Sequence, residues 1–186
     1  MTDKKNEEHS CQISRRQFLK YSGAGAAAAS TVTVSLFPGT AAAQNVRARV
    51  QPYPRIKVAQ LSDLKENQPL DFNYPDDHNG SSCMVVRTGV ECGGGVGSKR
   101  DVVAFSQLCT HQGGPLNGQY KAVSEHRVLG PCPFHLSLFD VRRHGIIVSG
   151  QAYESLPQIL LEVEGDDVYA VGIMGLLFGR NENVMA

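Results

Sequence analysis

Two short motifs, Cys109-Thr-His111 and Cys132-Pro-Phe-His135, constrain this 186-residue chain more than any other feature. Each pairs one thiolate donor with one imidazole donor, so the fold must bring two separate loops to one point. Two sulfur and two nitrogen donors suit either zinc or an iron–sulfur centre. Structural zinc sites usually group like with like, as C-x₂₋₄-C and H-x₃₋₅-H. Here each half is mixed. A two-iron cluster with both cysteines on one iron and both histidines on the other needs one of each from every loop.

The N-terminus carries a second signal. Ser14-Arg15-Arg16-Gln17-Phe18-Leu19-Lys20 has the form of a twin-arginine export sequence, followed by an uncharged run from Tyr21 to Ala43 that ends Ala41-Ala42-Ala43. The run is weakly apolar and broken by Gly23, Gly25, Pro38 and Gly39, whereas a membrane span needs about 20 strongly apolar residues. Residues 1–43 therefore read as a signal peptide and residues 44–186 as the mature domain; a signal that is retained would leave the protein membrane-associated. The two signals explain each other. Metal ligands are organised only in a folded chain, and the twin-arginine machinery exports folded cargo, so the expected destination is the periplasm.

Charge excludes one broad class. The chain has 18 basic and 18 acidic residues. Subtracting the five basic and three acidic residues of the signal leaves 13 against 15, a net of −2. Nucleic-acid binding would show a clustered basic excess, so no nucleic-acid partner is expected. Of five cysteines, Cys11 leaves with the signal and two belong to the motifs. Cys83 and Cys92 remain, and in an oxidising compartment a disulfide between them is an open alternative. His126 and His144 read as polar groups near the loops rather than ligands, while His9 and His78 fall in flexible segments.

The mature region reads as short β-branched runs separated by turns: Ile56–Gln60, Cys83–Arg87, Val102–Ser106, His126–Leu129, Ile146–Ser149, Ile159–Glu164, Val168–Ile173 and Leu176–Phe178. This spacing predicts an antiparallel all-β sandwich or small barrel. Glu164-Gly165-Asp166-Asp167 predicts a hairpin turn. Asp71–Ser82 reads as an exposed loop, and the Gly93–Gly97 stretch as a flexible surface loop rather than a phosphate cradle, because no Lys-Ser/Thr or helix start follows. Residues 107–153, dense in Gly, Pro and ligands, read as a cluster-binding subdomain inserted into a larger base.

The runs C-T-H-Q-G-G-P-L and C-P-F-H-L-S-L-F-D resemble the two ligand boxes of Rieske proteins. That resemblance implies a [2Fe-2S] cluster held by Cys109, His111, Cys132 and His135, with the histidine iron outermost. Rieske potentials span roughly −150 to +300 mV, against about −400 mV for all-thiolate plant-type clusters. High-potential respiratory members carry two further cysteines that bridge the loops; here Gly114 and Phe134 occupy those positions, so packing by Phe134, Leu116, Pro115 and Pro133 must hold the loops. They also carry a serine and a tyrosine that donate to the cluster sulfurs. Ser137 keeps the first donor and Phe139 lacks the second, which implies an intermediate potential.

The stretches Gly94–Ala104, Ser149–Gln158 and Val168–Arg180 further resemble the small subunit of bacterial arsenite oxidase. The resemblance implies a large molybdopterin-containing catalytic subunit as partner. Single electrons would pass from it through this chain to a cytochrome c or an azurin-like copper protein. The chain itself would carry no catalytic residue. The alternative is the Rieske subunit of a membrane-bound cytochrome bc complex that oxidises quinol.

Overall fold

The computed structural model describes residues 52–184. The export motif, the Ala-rich run, His9 and Cys11 lie outside the described residues. Ten strands follow one another: β1 (Ile56–Gln60), β2 (Leu70–Asn73), β3 (Ser82–Arg87), β4 (Val102–Ser106), β5 (Tyr120–Val123), β6 (His126–Leu129), β7 (Leu138–Asp140), β8 (Ile146–Ser149), β9 (Gln158–Glu164) and β10 (Asp167–Met174). A single 3₁₀ turn, Val141–Arg143, is the sole helical element among the described residues. The expected all-β class holds.

The strands form two antiparallel sheets. Six strands pair in the order β1-β10-β9-β4-β3-β2, and β5-β6-β7-β8 form a separate four-stranded meander. The whole second sheet lies in sequence between β4 and β9, which are neighbours in the first. Both ligand motifs flank or interrupt this insertion.

Period-two alternation explains how one sheet serves two cores. On β3 and β4, Cys83, Val85, Val102 and Ala104 enter one apolar cluster with Ile159, Val168 and Ala170. The alternate residues Met84, Val86, Val103 and Phe105 enter the other. Strands buried on both faces read as unbroken apolar runs, which is why Val102-Val103-Ala104-Phe105 shows no polar alternation. The second cluster also contains Cys109, Cys132, Leu116, Leu129, Phe139 and Val141. One half of the motif pair is thus part of the hydrophobic core.

Several local expectations change. Leu176–Phe178 is not a strand; Leu177 anchors the segment in the first core while Leu176 and Phe178 face outward. Asp71–Ser82 is no open loop at its start: Asp71 to Asn73 pair with β3, and Tyr74 is fully buried. Burial of that one aromatic, with its hydroxyl donating to the Pro54 carbonyl at 2.8 Å, outweighs the polar composition around it. β5 was hidden because three of its four residues are exposed, and β7 because its three residues lie inside the second ligand motif. The Gly93–Gly97 stretch is packed rather than loose. Side chains added there would run into His144, Gln158 and the Arg100 carbonyl. The predicted hairpin forms, with Gly165 at φ +62°. Cys83 and Cys92 are both free. They belong to the two different cores, with the sheet between them.

Candidate metal centre

The two ligand loops close with the same backbone pattern despite their different spacings. In the first, Cys109 N donates to Gly114 O at 2.9 Å and Gly113 N donates to Cys109 O at 2.8 Å. In the second, Cys132 N donates to Ser137 O at 2.8 Å and Leu136 N donates to Cys132 O at 2.9 Å. The residue four beyond each cysteine takes the left-handed conformation: Gly113 at φ +67° and Leu136 at φ +59°. Each cysteine is thereby turned inward while its histidine projects from the outer side of the turn.

The base of the first loop is held by Gln107. Its backbone pairs with Ser82 O and Leu116 N, each at 2.8 Å. Its buried side chain donates to Asp71 at 2.7 Å and accepts from Ser82 Oγ and Asn117 Nδ2, also at 2.7 Å. These contacts tie β2, β3 and the loop together two residues before Cys109.

Cys109 and Cys132 are each 1 % exposed. Burial pushes the Cys109 thiol above its ordinary value, the neighbouring Cys132 thiol adds to the rise, and the His111 amide and Ser137 hydroxyl oppose it. His111 and His135 are half-buried, and their Nδ1 atoms stand 3.1 Å apart. Their rings cross at 78° with centroids 4.6 Å apart. The structure therefore brings all four motif residues together as two pairs, a buried sulfur pair and an outer nitrogen pair. Among the described residues no group of three or more His, Cys, Asp or Glu side chains encloses one ion. Two pairs fit a two-iron cluster with two protein ligands per iron better than one tetrahedral zinc.

The predicted surroundings divide clearly. Ser137 is fully buried beside Cys109, whose ionised form it stabilises. Phe139 is buried in the second core and offers no hydroxyl. A Cβ on Gly114 would stand 2.5 Å from Cys132 Sγ and 3.1 Å from the Phe134 ring. Phe134 thus covers the Gly114 position as expected, although 55 % of it is exposed. Leu116 is buried, while Pro115 and Pro133 are exposed and contribute less than expected. His144 is no ligand: its Nδ1 faces Gln158 Oε1 at 2.7 Å, and Gln158 Nε2 donates to Gly93 O. His126 is exposed on β6.

Three further contacts were not legible beforehand. Tyr153, 80 % exposed, meets the His111 ring edge-on at 5.8 Å. Phe178 lies so close over Gly113 that a Cβ there would stand 2.5 Å from its ring. The backbone amides of Gln151 and Ala152 both donate to Ser137 Oγ at 3.1 Å. Residues 149–158 carry no Cys or His, so only proximity reveals their role.

An antiparallel-β metalloprotein with paired cysteine and histidine loops is the class that fold and site define. Residues 54–160 match the model of the Rieske [2Fe-2S] domain, more than half of the chain, and residues 12–32 match the TAT (twin-arginine translocation) pathway signal sequence. The chain belongs to the Rieske family and carries its [2Fe-2S] cluster. Its signal addresses it to the periplasm. It is 52 % identical over 178 residues to the iodate reductase subunit IdrB of Denitromonas iodatirespirans, covering 95 % of this chain and 89 % of that protein. The iodate reductase subunit IdrB of Pseudomonas sp. (strain SCT) is 51 % identical over 174 residues, covering 92 % and 84 %. The soluble domain of Rieske protein II (soxF) from Sulfolobus acidocaldarius shares the fold, with a TM-score of 0.58 at 24 % identity over 69 % of this chain and 82 % of that one.

Proposed function

We propose that Cys109 and Cys132 hold one iron of the cluster and His111 and His135 the other, and that the chain is the electron-relay subunit of a periplasmic oxidoreductase. The observation that carries this is the arrangement of one buried thiol pair behind one half-exposed imidazole pair. When bound, the cluster takes up and releases one electron at a time. Cys109 and Cys132, 1 % exposed, would hold one end of it in the second core, away from water. His111 and His135, half-buried, would hold its other end at the surface, where a partner can approach. Four protein ligands would leave such a cluster no open position for substrate, so catalysis would belong to a partner and no residue of this chain would be catalytic.

In this reading residues 1–43 are the signal, residues 44–186 the Rieske domain, and residues 107–153 the cluster-bearing subdomain. The folded, loaded protein is exported by the twin-arginine machinery. The catalytic step belongs to a large partner subunit, molybdopterin-containing if the arsenite oxidase resemblance extends to the complex. The two iodate reductase relatives favour iodate over arsenite as that subunit's substrate. Electrons would then enter from a cytochrome c or azurin-like copper protein and flow toward the large subunit; in an arsenite oxidase the same path runs the other way.

Purifying the complex from its periplasm, reducing the cluster and adding iodate tests this directly. Iodate-dependent reoxidation of the Rieske signal supports the reading. Arsenite-dependent reduction would assign the oxidase instead, and quinol-dependent reduction of a membrane-bound protein would assign the cytochrome bc alternative.

A further inference from the structure

The buried hydroxyl of Ser137 has its direction set from outside the ligand loops. A serine hydroxyl offers two acceptor lone pairs and one proton. Gln151 N and Ala152 N both donate to Ser137 Oγ at 3.1 Å, which occupies the two acceptor directions. Ser137 is fully buried, so its proton has no water to turn to. With both acceptor directions taken by amides, the proton is left to point away from the loop after β8, toward the side where the ligand cysteines sit.

This arrangement needs the loop after β8 to lie flat against Ser137, and Gly150 makes that approach possible. Gly150 has φ +96°, a conformation L side chains rarely adopt. A Cβ there would overlap the Ser137 Cα and stand 2.5 Å from its N and 2.8 Å from its Oγ. These neighbours are mostly backbone, so they cannot yield as a flexible side chain would. The loop is held in place on its far side by Thr110 Oγ1 donating to Glu154 O at 2.8 Å, which links it back to the first ligand loop.

We infer that Gly150 and the Gln151 and Ala152 amides are positioning elements for the cluster's reduction potential, acting by leaving the Ser137 proton only the cluster to donate to. The inference rests on the proposed ligand assignment. A locked donor favours the reduced, more negative state, because it needs no reorientation when the electron arrives. A free hydroxyl of the same serine would divide its time among several acceptors.

The test compares reduction potentials of the full-length, cluster-loaded chain by protein-film voltammetry. Gly150→Ala is expected to keep a Rieske spectrum yet shift the reduction equilibrium about tenfold toward the oxidised state, or about 59 mV for one electron. Adding Ser137→Ala to Gly150→Ala should then lower the potential little further. A wild-type potential for Gly150→Ala, or shifts that simply add in the double variant, overturns the inference. Should Gly150→Ala fail to load, Ala152→Pro deletes one donor without adding a Cβ at 150, and an unchanged potential in it counts equally against the inference. The wild-type protein gives an independent reading through the proton couplings of its reduced cluster. One sharp exchangeable coupling that Ser137→Ala removes is expected, and a broad spread of couplings overturns it. A wild-type chain with no Rieske spectrum at all would defeat the ligand assignment itself, and the inference with it.

Discussion

The Nδ1 atoms of His111 and His135 converge to 3.1 Å although each histidine rides on a different loop. The two ring nitrogens are within hydrogen-bond distance, and two imidazoles meeting nitrogen to nitrogen bury little apolar surface. The backbone closure behind each histidine is what aims it.

Replacing either histidine by Ala should therefore abolish the Rieske spectrum while leaving the fold intact, since the rings are only half-buried. Cys109→Ala should also abolish it and in addition destabilise the second core, by about 1–2 kcal/mol. Cluster spectra together with chemical unfolding of the metal-free chains separate the two effects.

Ser137→Ala should lower the reduction potential. A hydrogen bond to a charged acceptor contributes about 1.5 kcal/mol, equivalent to roughly 60 mV for one electron. Voltammetry that shows no downward shift would count against a donor role for this hydroxyl.

Gly114→Ala places a methyl group 2.5 Å from Cys132 Sγ. The sulfur must move, and the ligand geometry with it. The expected outcome is loss of more than about half of the bound iron, in keeping with the steric demands of a packed interior. Iron content per chain after purification decides it.

Leu136 occupies the left-handed region at φ +59° and is 65 % exposed. That conformation costs an L-residue about 1–2 kcal/mol. Leu136→Gly removes the strain and gives up little burial, so the melting temperature should rise by roughly 2–4 °C. A fall in melting temperature would mean that the side chain contributes more packing than its exposure implies.

The Asp76–Arg180 pair joins the segment after β2 to the C-terminal strap at 2.7 Å, with the arginine side chain only 4 % exposed and the aspartate 29 %. The guanidinium beside it, helped by the Ser81 hydroxyl and the His78 amide, holds the Asp76 carboxyl well below the ordinary carboxylate range. A depressed folded pKa contributes stability that is complete above the unfolded value of about 3.9 and disappears as pH falls through the folded one. Asp76→Asn should thus cost about 2 kcal/mol at pH 7, and the difference from wild type should shrink as the pH drops below about 4. Urea unfolding at pH 7 and pH 3 measures both.

Legibility from sequence followed the apolar pattern. β3 and β4, buried on both faces, showed as unbroken apolar runs, and β9 and β10 as β-branched runs joined by a turn signal. β5 and β7 were not legible, because β5 exposes three of its four residues and β7 lies inside the second ligand motif. All four motif residues were legible because thiol and imidazole side chains are rare and their spacing is informative. Tyr153, Phe178 and the Gly150–Ala152 backbone were not, because an aromatic ring or an amide carries no mark of what it will face.

The amino-acid sequence by itself determined the chemical character of this protein: which thiol and imidazole donors stand in paired motifs, that it carries a twin-arginine signal, and that strands rather than helices frame those motifs. Those properties reside in residue types and their spacing along the chain. The Rieske resemblance implied histidines outermost; only the tertiary structure decided that Cys109 and Cys132 become part of the second core. It also decided that Cys83 and Cys92 stay apart and that Ser137 is gripped by a distant loop. Such outcomes depend on which face of β3 and β4 a residue occupies and on which segment closes over it, and both arise from long-range packing.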